Sequence, residues 1–535
     1  MAQRNLARPR FNPSTCEPAT LQSCPPLLSV HQQPEIIWTP LIWSPANFPL
    51  ELFEIAVSQL IHHPEYNSTL ILRSEIVSET TSAFPETIPI LRGLRPIRNI
   101  HRKLLPRRPG RDTGLEQHCT LYASTDEHDQ TPSTLVLTPI VNPGEVLPYY
   151  HPAVSYLAFR FISGDTPILR IEVVPLPGTP TDPNSRLYRT CLALLEMLHR
   201  YGWGAMTNYK KRVLHDCIVP REAYQDLYLI MRERHKHLVG TWQEVTDPLK
   251  HVFEDIGIAT FLMLLWKDTY EDPVEHTANA TFETEPWKQW PRPPAGFLDL
   301  GCGNGLLTHI LVEEGYPGHG IDLRARTSWT HYPESTQAHL RVEALDPTTL
   351  VGPSSSVEDH PYLRPGVFII GNHADELTPW VPVLSTLCSA SGYLSIPCCA
   401  WTFDERYERS STPNYPVADE DFVSSLNLGG DGSNASSYSM YRIWVASLSL
   451  YCGWKVECET LRIPSTRNWA IIGTVKIIHR SALSSRLNGY IGRHQTYDSP
   501  GLAAEIRQRI KDIVEHVKER GMFKTRRPEG KAGDH

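Results

Sequence analysis

The chain has 535 residues, 41% of them hydrophobic and 21% charged, the proportions of a globular protein rather than a disordered or fibrous one. Its length exceeds what one hydrophobic core normally serves, so two or three structural units are expected. The net charge of −8 excludes a globally basic polyanion binder and leaves nucleic-acid contact to local patches.

Residues 1–35 are rich in Pro, Gln and Ser without periodicity and read as a loose tail. Their first ten residues include basic side chains but no apolar stretch behind them, so no secretory signal is expected. A helical pattern covers Leu50 to Ile61, and extended patterns cover 69–73, 133–138 and 168–174, giving an α+β unit over 36–180. Within it lies a one-signed basic segment: Arg92, Arg95, Arg98, Arg102, Lys103, Arg107, Arg108 and Arg111. In a chain of opposite net charge, that run suits contact with a polyanion. The Pro/Thr/Gly stretch from Pro175 to Pro183 reads as a boundary.

A helical connecting region follows over 181–295. Leu187 to His199 is amphipathic, and Glu254 to Leu265 is apolar nearly all round, as suits a helix buried against a sheet, with Met263 in the core. From 296 to 480, strands are expected at 297–300, 318–322, 338–343, 366–371, 392–398, 454–462 and 469–478, and helices at 305–314, 379–390 and 439–451. This alternation predicts a doubly wound α/β sheet closed by an antiparallel hairpin. An acidic Ser/Gly-rich insertion over 404–437 reads as a flexible loop, and 481–535 as a helix near 502–520 with a disordered end. No apolar run approaches the roughly 18 residues of a membrane span. The eleven cysteines form no C-x-x-C; a reducing compartment and no metal site are expected, with Cys398 and Cys399 buried in a strand.

The most informative stretch is Phe297-Leu-Asp-Leu-Gly-Cys-Gly-Asn-Gly305. An apolar strand ends in Asp299, Gly301, Gly303 and Gly305 follow at alternate positions, and a helix starts at Leu306. A second strand, Gly318 to Asp322, ends in a carboxylate suited to the two hydroxyls of a ribose. The spacing D-x-G-x-G-x-G differs from the dinucleotide fingerprint G-x-G-x-x-G. It resembles the first motif of class I S-adenosylmethionine-dependent methyltransferases, a Rossmann-like fold.

Ligands of open parallel sheets lie at the carboxyl ends of strands. Asp346 after the third strand and Asn372 after the fourth therefore join Asp299, Gly301, Gly303, Gly305 and Asp322 as candidate cofactor contacts. In the methyltransferase architecture the end of the fourth strand faces the methyl group, which makes His373, Asp375 and Glu376 candidate catalytic groups. Which of them is the base stays open. Lys210, Lys211 and Arg212, and Arg462, Arg467 and Asn468 in the last hairpin, are candidate RNA contacts.

Taken together, Tyr209 to Arg212, Thr246 to Gly257, Phe297 to Gly305, Gly371 to Trp380, Pro397-Cys-Cys399 and Leu461 to Asn468 resemble the eukaryotic tRNA (uracil-2′-O-)-methyltransferases. That family modifies the uridine at tRNA position 44, chiefly in serine tRNA. The resemblance covers about residues 185 to 475 and implies S-adenosylmethionine as donor, tRNA as partner and a cytoplasmic location. Some animal members add a C-terminal zinc finger; this chain has no cysteine after Cys458, so no zinc is carried over. Competing readings are an S-adenosylmethionine enzyme acting on protein or a small molecule, and a non-catalytic tRNA-binding module.

Overall fold

The computed structural model describes residues 8–17, 25–29, 36–126, 130–142, 144–209, 213–270, 285–352, 355–357, 360–408, 415, 421–428, 436–476 and 500–520. The chain divides into two compact units, Met1–Lys210 and Lys211–His535.

In the first unit, β1 (Ser14–Thr15), β2 (Thr39–Pro45), β3 (Ile71–Thr80), β4 (Leu94–Pro106), β5 (Leu115–Ser124), β6 (Thr134–Ile140), β7 (Val154–Ile162) and β8 (Ile168–Pro175) form an antiparallel sheet. Its order is β1-β2-β8-β7-β6-β5-β4-β3. Helix α1 (Phe53–His62) buries Phe53, Ala56, Val57, Leu60 and Ile61, a stripe at helical spacing. Helix α2 (Arg186–Met206) starts where the Ser185 hydroxyl accepts the Tyr188 N–H, an N-cap that satisfies a donor the helix cannot. Both helices share a core with Leu41, Leu121, Phe159 and Ile171 of the sheet. The Pro/Thr/Gly stretch is thus a loop before α2, and the division between units falls past the helix rather than near residue 180.

Two features differ from the sequence reading. Parts of the first 35 residues are attached: β1 pairs with β2, and the Leu27 N–H donates to Glu172 Oε2 at 2.7 Å. Much of the basic segment is a strand, β4, whose alternation turns some of its charges inward. Arg102 is buried and donates to the Leu60 carbonyl at 2.9 Å and to Gln117 Oε1 at 2.7 Å. Arg98 pairs with Glu54 and Glu79. Arg92, Lys103, Arg107, Arg108 and Arg111 are the exposed cations of the run.

The second unit begins with α3 (Arg221–His235) and α4 (Pro248–Tyr270). Then follow β9 (Phe297–Leu300), α5 (Leu306–Glu313), β10 (Gly318–Asp322), the short α6 (Glu334–Gln337), β11 (Leu340–Val342), β12 (Phe368–Asn372), α7 (Trp380–Leu387) and β13 (Gly392–Ile396). The series ends with α8 (Ser437–Tyr451), β14 (Trp454–Thr460), β15 (Trp469–Lys476) and α9 (Pro500–Arg520). The sheet order is β11-β10-β9-β12-β13-β15-β14. The first five strands are parallel and β15 runs against its neighbours. This is the doubly wound Rossmann-like α/β sheet expected of a class I methyltransferase.

Helices cover both faces. On one, α4 is buried from Glu254 through Trp266, and Trp266 meets Phe297, Tyr316 and Phe368; Met263 belongs to this core. On the other, Trp380, Val383, Trp444 and Trp454 pack with Ile369 and Tyr393, joined by Ile506, Ile510 and Val514 of α9. Much of the 404–437 insertion, namely 409–414, 416–420 and 429–435, lies outside the described residues, as do 477–499 and 521–535. No helix among the described residues is long and apolar enough to cross a membrane.

Candidate active site

Strand order reverses between β9 and β12, which lie side by side at the centre of the sheet. In open α/β sheets the ligand crevice lies at such a reversal, outside the carboxyl ends of the strands. The turn leaving β9 places Gly301, Gly303 and Gly305 at φ of 75°, 54° and 76°, the left-handed region that glycine enters without a Cβ clash. The turn is closed from β10: Gly303 N–H donates to Asp322 Oδ2 at 2.9 Å, and Arg324 N–H to Oδ1 at 3.3 Å. Each carboxylate oxygen keeps a second lone pair for a ribose hydroxyl. From the other side, Trp329 Nε1–H donates to the Gly303 carbonyl at 2.9 Å, and Glu244 accepts the Ser328 N–H and hydroxyl.

Asp299 is buried at the end of β9 and accepts the Thr308 hydroxyl through Oδ2 at 2.9 Å, while its Oδ1 has no partner. Burial pushes its pKa up to about 7 against the Thr308 hydrogen bond, and the charge of Asp322 adds to the rise. A second buried acid comes from α4. Asp255 Oδ1 accepts Asn372 Nδ2–H at 3.2 Å, and the Asn372 Oδ1 is buried without a partner. Burial first, then the charges of Glu254 and Asp299, hold the Asp255 carboxyl well above its ordinary value.

Beside Asp255, Glu254 Oε1 meets His373 Nε2 at 3.1 Å. Burial alone raises a carboxyl; here hydrogen bonding and charge from His373, with a hydrogen bond from Ser465 and the charge of Lys250, outweigh it and leave Glu254 below its usual value, hence ionised. His373 has a φ of 53°, and its Nδ1 is buried without a partner. Glu254 and Asp255 were not among the expected site residues. Their signal was two adjacent acids at the head of the apolar stretch of α4, a placement that demands partners.

The remaining candidates separate. Glu376 is exposed; Asp375 is exposed with a φ of 44°, its Oδ1 accepting the Cys398 thiol at 3.2 Å. Cys398 and Cys399 are half-buried rather than enclosed, because they follow β13 instead of continuing it. Asp346 is half-buried and caps its own loop through the Thr348 N–H and hydroxyl. In the hairpin, Arg462 makes a two-pronged ion pair with Asp216 at 2.7 and 2.5 Å, and Asn468 Nδ2–H donates to the Leu461 carbonyl at 3.0 Å. Arg467 is exposed with its guanidinium 3.9 Å over the Tyr438 ring. Lys210, Lys211 and Arg212 lie outside the described residues. The hairpin is anchored by a residue not anticipated: Glu459 accepts the N–H groups of Asp216, Cys217 and Ile218 at 2.7–2.9 Å. Two cavities, of about 890 and 660 Å³, lie elsewhere and are lined by none of the candidates.

Comparison with known proteins bears directly on this geometry. A family model described as "TRM44-like, N-terminal bet v1-like domain" matches residues 14–212, and one described as "Predicted AdoMet-dependent methyltransferase" matches 218–278 and 271–347. The tRNA (uracil-O(2)-)-methyltransferase of Schizosaccharomyces pombe is 33% identical over 501 residues, covering 88% of this chain and 92% of the relative. Those of Neurospora crassa and Saccharomyces cerevisiae are 33% and 31% identical, covering 86% and 80% of this chain and 92% and 85% of the relatives. The chain belongs to the tRNA (uracil-O(2)-)-methyltransferase family.

As a member of that family it is an S-adenosylmethionine-dependent methyltransferase, and its crevice suits that cofactor. The unpartnered acceptors Asp299 Oδ1 and Asn372 Oδ1, with Asp322 and ionised Glu254 nearby in the fold, make a negative, acceptor-bearing surround. Such a surround favours a ligand carrying an ammonium and a sulfonium over a pyrophosphate.

Proposed function

We propose that the chain methylates the ribose 2′-hydroxyl of a uridine in tRNA, at position 44 of serine tRNA, in the cytoplasm. The relatives' printed activity supports the RNA substrate, and the free state of the described cysteines suits a reducing compartment. One observation carries the chemistry: the Glu254–His373 pair set at the carboxyl end of β12, next to Asn372 and the buried acids.

S-adenosylmethionine supplies an electrophilic methyl group. The chain's own residues do the rest. We assign Gly301, Gly303, Gly305 and Asp322 to the nucleoside part of the donor, Asp299 and Asn372 to its cationic part, and Asp346 to the adenine side. With its proton on Nε2 directed at the Glu254 carboxylate, His373 carries its lone pair on Nδ1, the atom the structure leaves without a partner. Substrate binding has to uncover Nδ1, which is buried in the free protein; a sugar hydroxyl then meeting it gives up its proton there as its oxygen takes the methyl group, while Glu254 orients the ring and balances the charge it gains. His373 is therefore the base in this reading. Asp375 and Glu376, the other candidates, have no comparable orienting partner. Arg467, held over Tyr438, suits a phosphate or base of the acceptor.

The test is transfer of labelled methyl to bulk tRNA followed by nucleoside analysis. Labelled 2′-O-methyluridine is expected; label confined to protein, or tRNA binding without transfer, overturns the reading. His373→Asn is expected to lower kcat by roughly 10²–10⁴-fold, the usual contribution of a positioned base, with S-adenosylmethionine affinity by calorimetry little changed. Glu254→Gln should lower kcat less and leave KM for tRNA unaltered; a pure KM effect would count against its role as orienter.

A further inference from the structure

Pro397-Cys398-Cys399 takes no part in the chemistry above. Strands β12 and β13 pair in parallel with Asn372 opposite Ile396, so the residues just past each strand end emerge together. Neighbouring residues within a strand point to opposite faces, yet past the end of β13 the two sulfurs and the Asp375 carboxylate converge, with one ligand atom of each within 4.8 Å of the others. Tyr438 pins the segment by donating its hydroxyl to the Pro397 carbonyl at 2.6 Å. The left-handed φ of Asp375 turns its carboxylate to the Cys398 thiol.

We propose that Asp375, Cys398 and Cys399 form a zinc-binding site. Two thiolates and one carboxylate select zinc over calcium or magnesium, which take all-oxygen shells. Two sulfurs on one tetrahedral zinc, each about 2.3 Å from the metal, stand about 3.8 Å apart, against the 4.8 Å that bounds the separations of the three ligand atoms here. Binding releases the two thiol protons, and three protein ligands leave one position for water or a substrate oxygen. The site escapes spacing rules because its cysteines are adjacent and its third ligand comes from a different strand end. It does not depend on which acceptor is methylated.

The experiment adds Co²⁺ to the reduced, metal-free full chain as a spectroscopic probe and then displaces it with Zn²⁺. A near-ultraviolet thiolate-to-cobalt band should saturate at one equivalent and vanish on stoichiometric zinc. The band should roughly halve in Cys398→Ser and in Cys399→Ser and be absent in the double variant; Asp375→Asn should keep it at weaker affinity. A wild-type measurement removes dependence on variant folding: zinc should protect Cys398 and Cys399 from iodoacetamide in peptide mapping. Absence of the band in the wild type, its persistence in a folded double variant, or unprotected Cys398 and Cys399 in the zinc-treated protein overturns the proposal.

Discussion

Asp299 shows how one enclosed carboxyl can govern cofactor affinity. Burial holds its pKa at about 7 in the free protein. Below that pH it is protonated and offers a cation little; above it the charge is present and the attraction is strong. S-adenosylmethionine affinity should therefore rise between about pH 6 and pH 8, and Asp299→Asn should flatten that rise. Calorimetry across the range checks this, and a wild-type affinity indifferent to pH would refute it. The same shift has the opposite sign for the empty protein. A folded pKa above the unfolded one favours the folded state at low pH, and that advantage is lost as pH climbs through about 7. The glycines offer a second test at this scale. A Cβ on Gly303 would meet open space, whereas one on Gly305 would sit 2.9 Å from Leu340 carbons and 3.2 Å from Trp329 Nε1. Gly303→Ala should cost about 1–2 kcal/mol for its left-handed backbone, and Gly305→Ala should cost more. Urea melts giving equal losses would refute that ranking.

At the scale of elements, the glycine turn and the strands flanking it were legible because they obey local rules: apolar runs of strand length, glycines where φ must be positive, an acid at the second strand end. Glu254 and Asp255 were not, since their partners, His373 and Asn372, lie more than a hundred residues away. An amphipathic pattern says which face is buried, never against what. The basic segment was legible only in part for a related reason: charge counting ignores the two-residue period of β4, which sends Arg102 inward to the Leu60 carbonyl and Gln117. Arg102→Ala should destabilise by about 3–5 kcal/mol, leaving buried polar partners unmatched. Exposed Lys103→Ala should stay within about 0.5 kcal/mol. Chemical denaturation distinguishes the two; similar losses would mean that Arg102 is not structural.

At the scale of the molecule, each unit has its own core, one centred on α1, α2 and the antiparallel sheet, the other on the doubly wound sheet. Trp266→Ala should therefore cost about 3–5 kcal/mol in the second unit alone. Scanning calorimetry should show one transition lowered and the other unmoved; a single transition shifting as a whole would refute independence. Where the units divide was the least legible feature. Pro175 to Pro183 marks a loop, but membership of α2 is fixed by Leu187, Leu195 and Leu198 meeting a sheet built from distant segments.

The reversed direction of β15 has a consequence for how such an enzyme diversifies. Because this strand opposes the other six, the bend from Leu461 to Asn468 that joins it to β14 is delivered to the rim where they finish. That bend is fastened through Glu459 and Asp216 to the segment Asp216 to Ile218, apart from the glycine turn after β9. Under the assignment of Arg467 to the acceptor proposed above, exchanging the exposed residues of this bend is expected to alter which acceptor is admitted and to leave the glycine turn as it is, making the bend the graft point for a new preference.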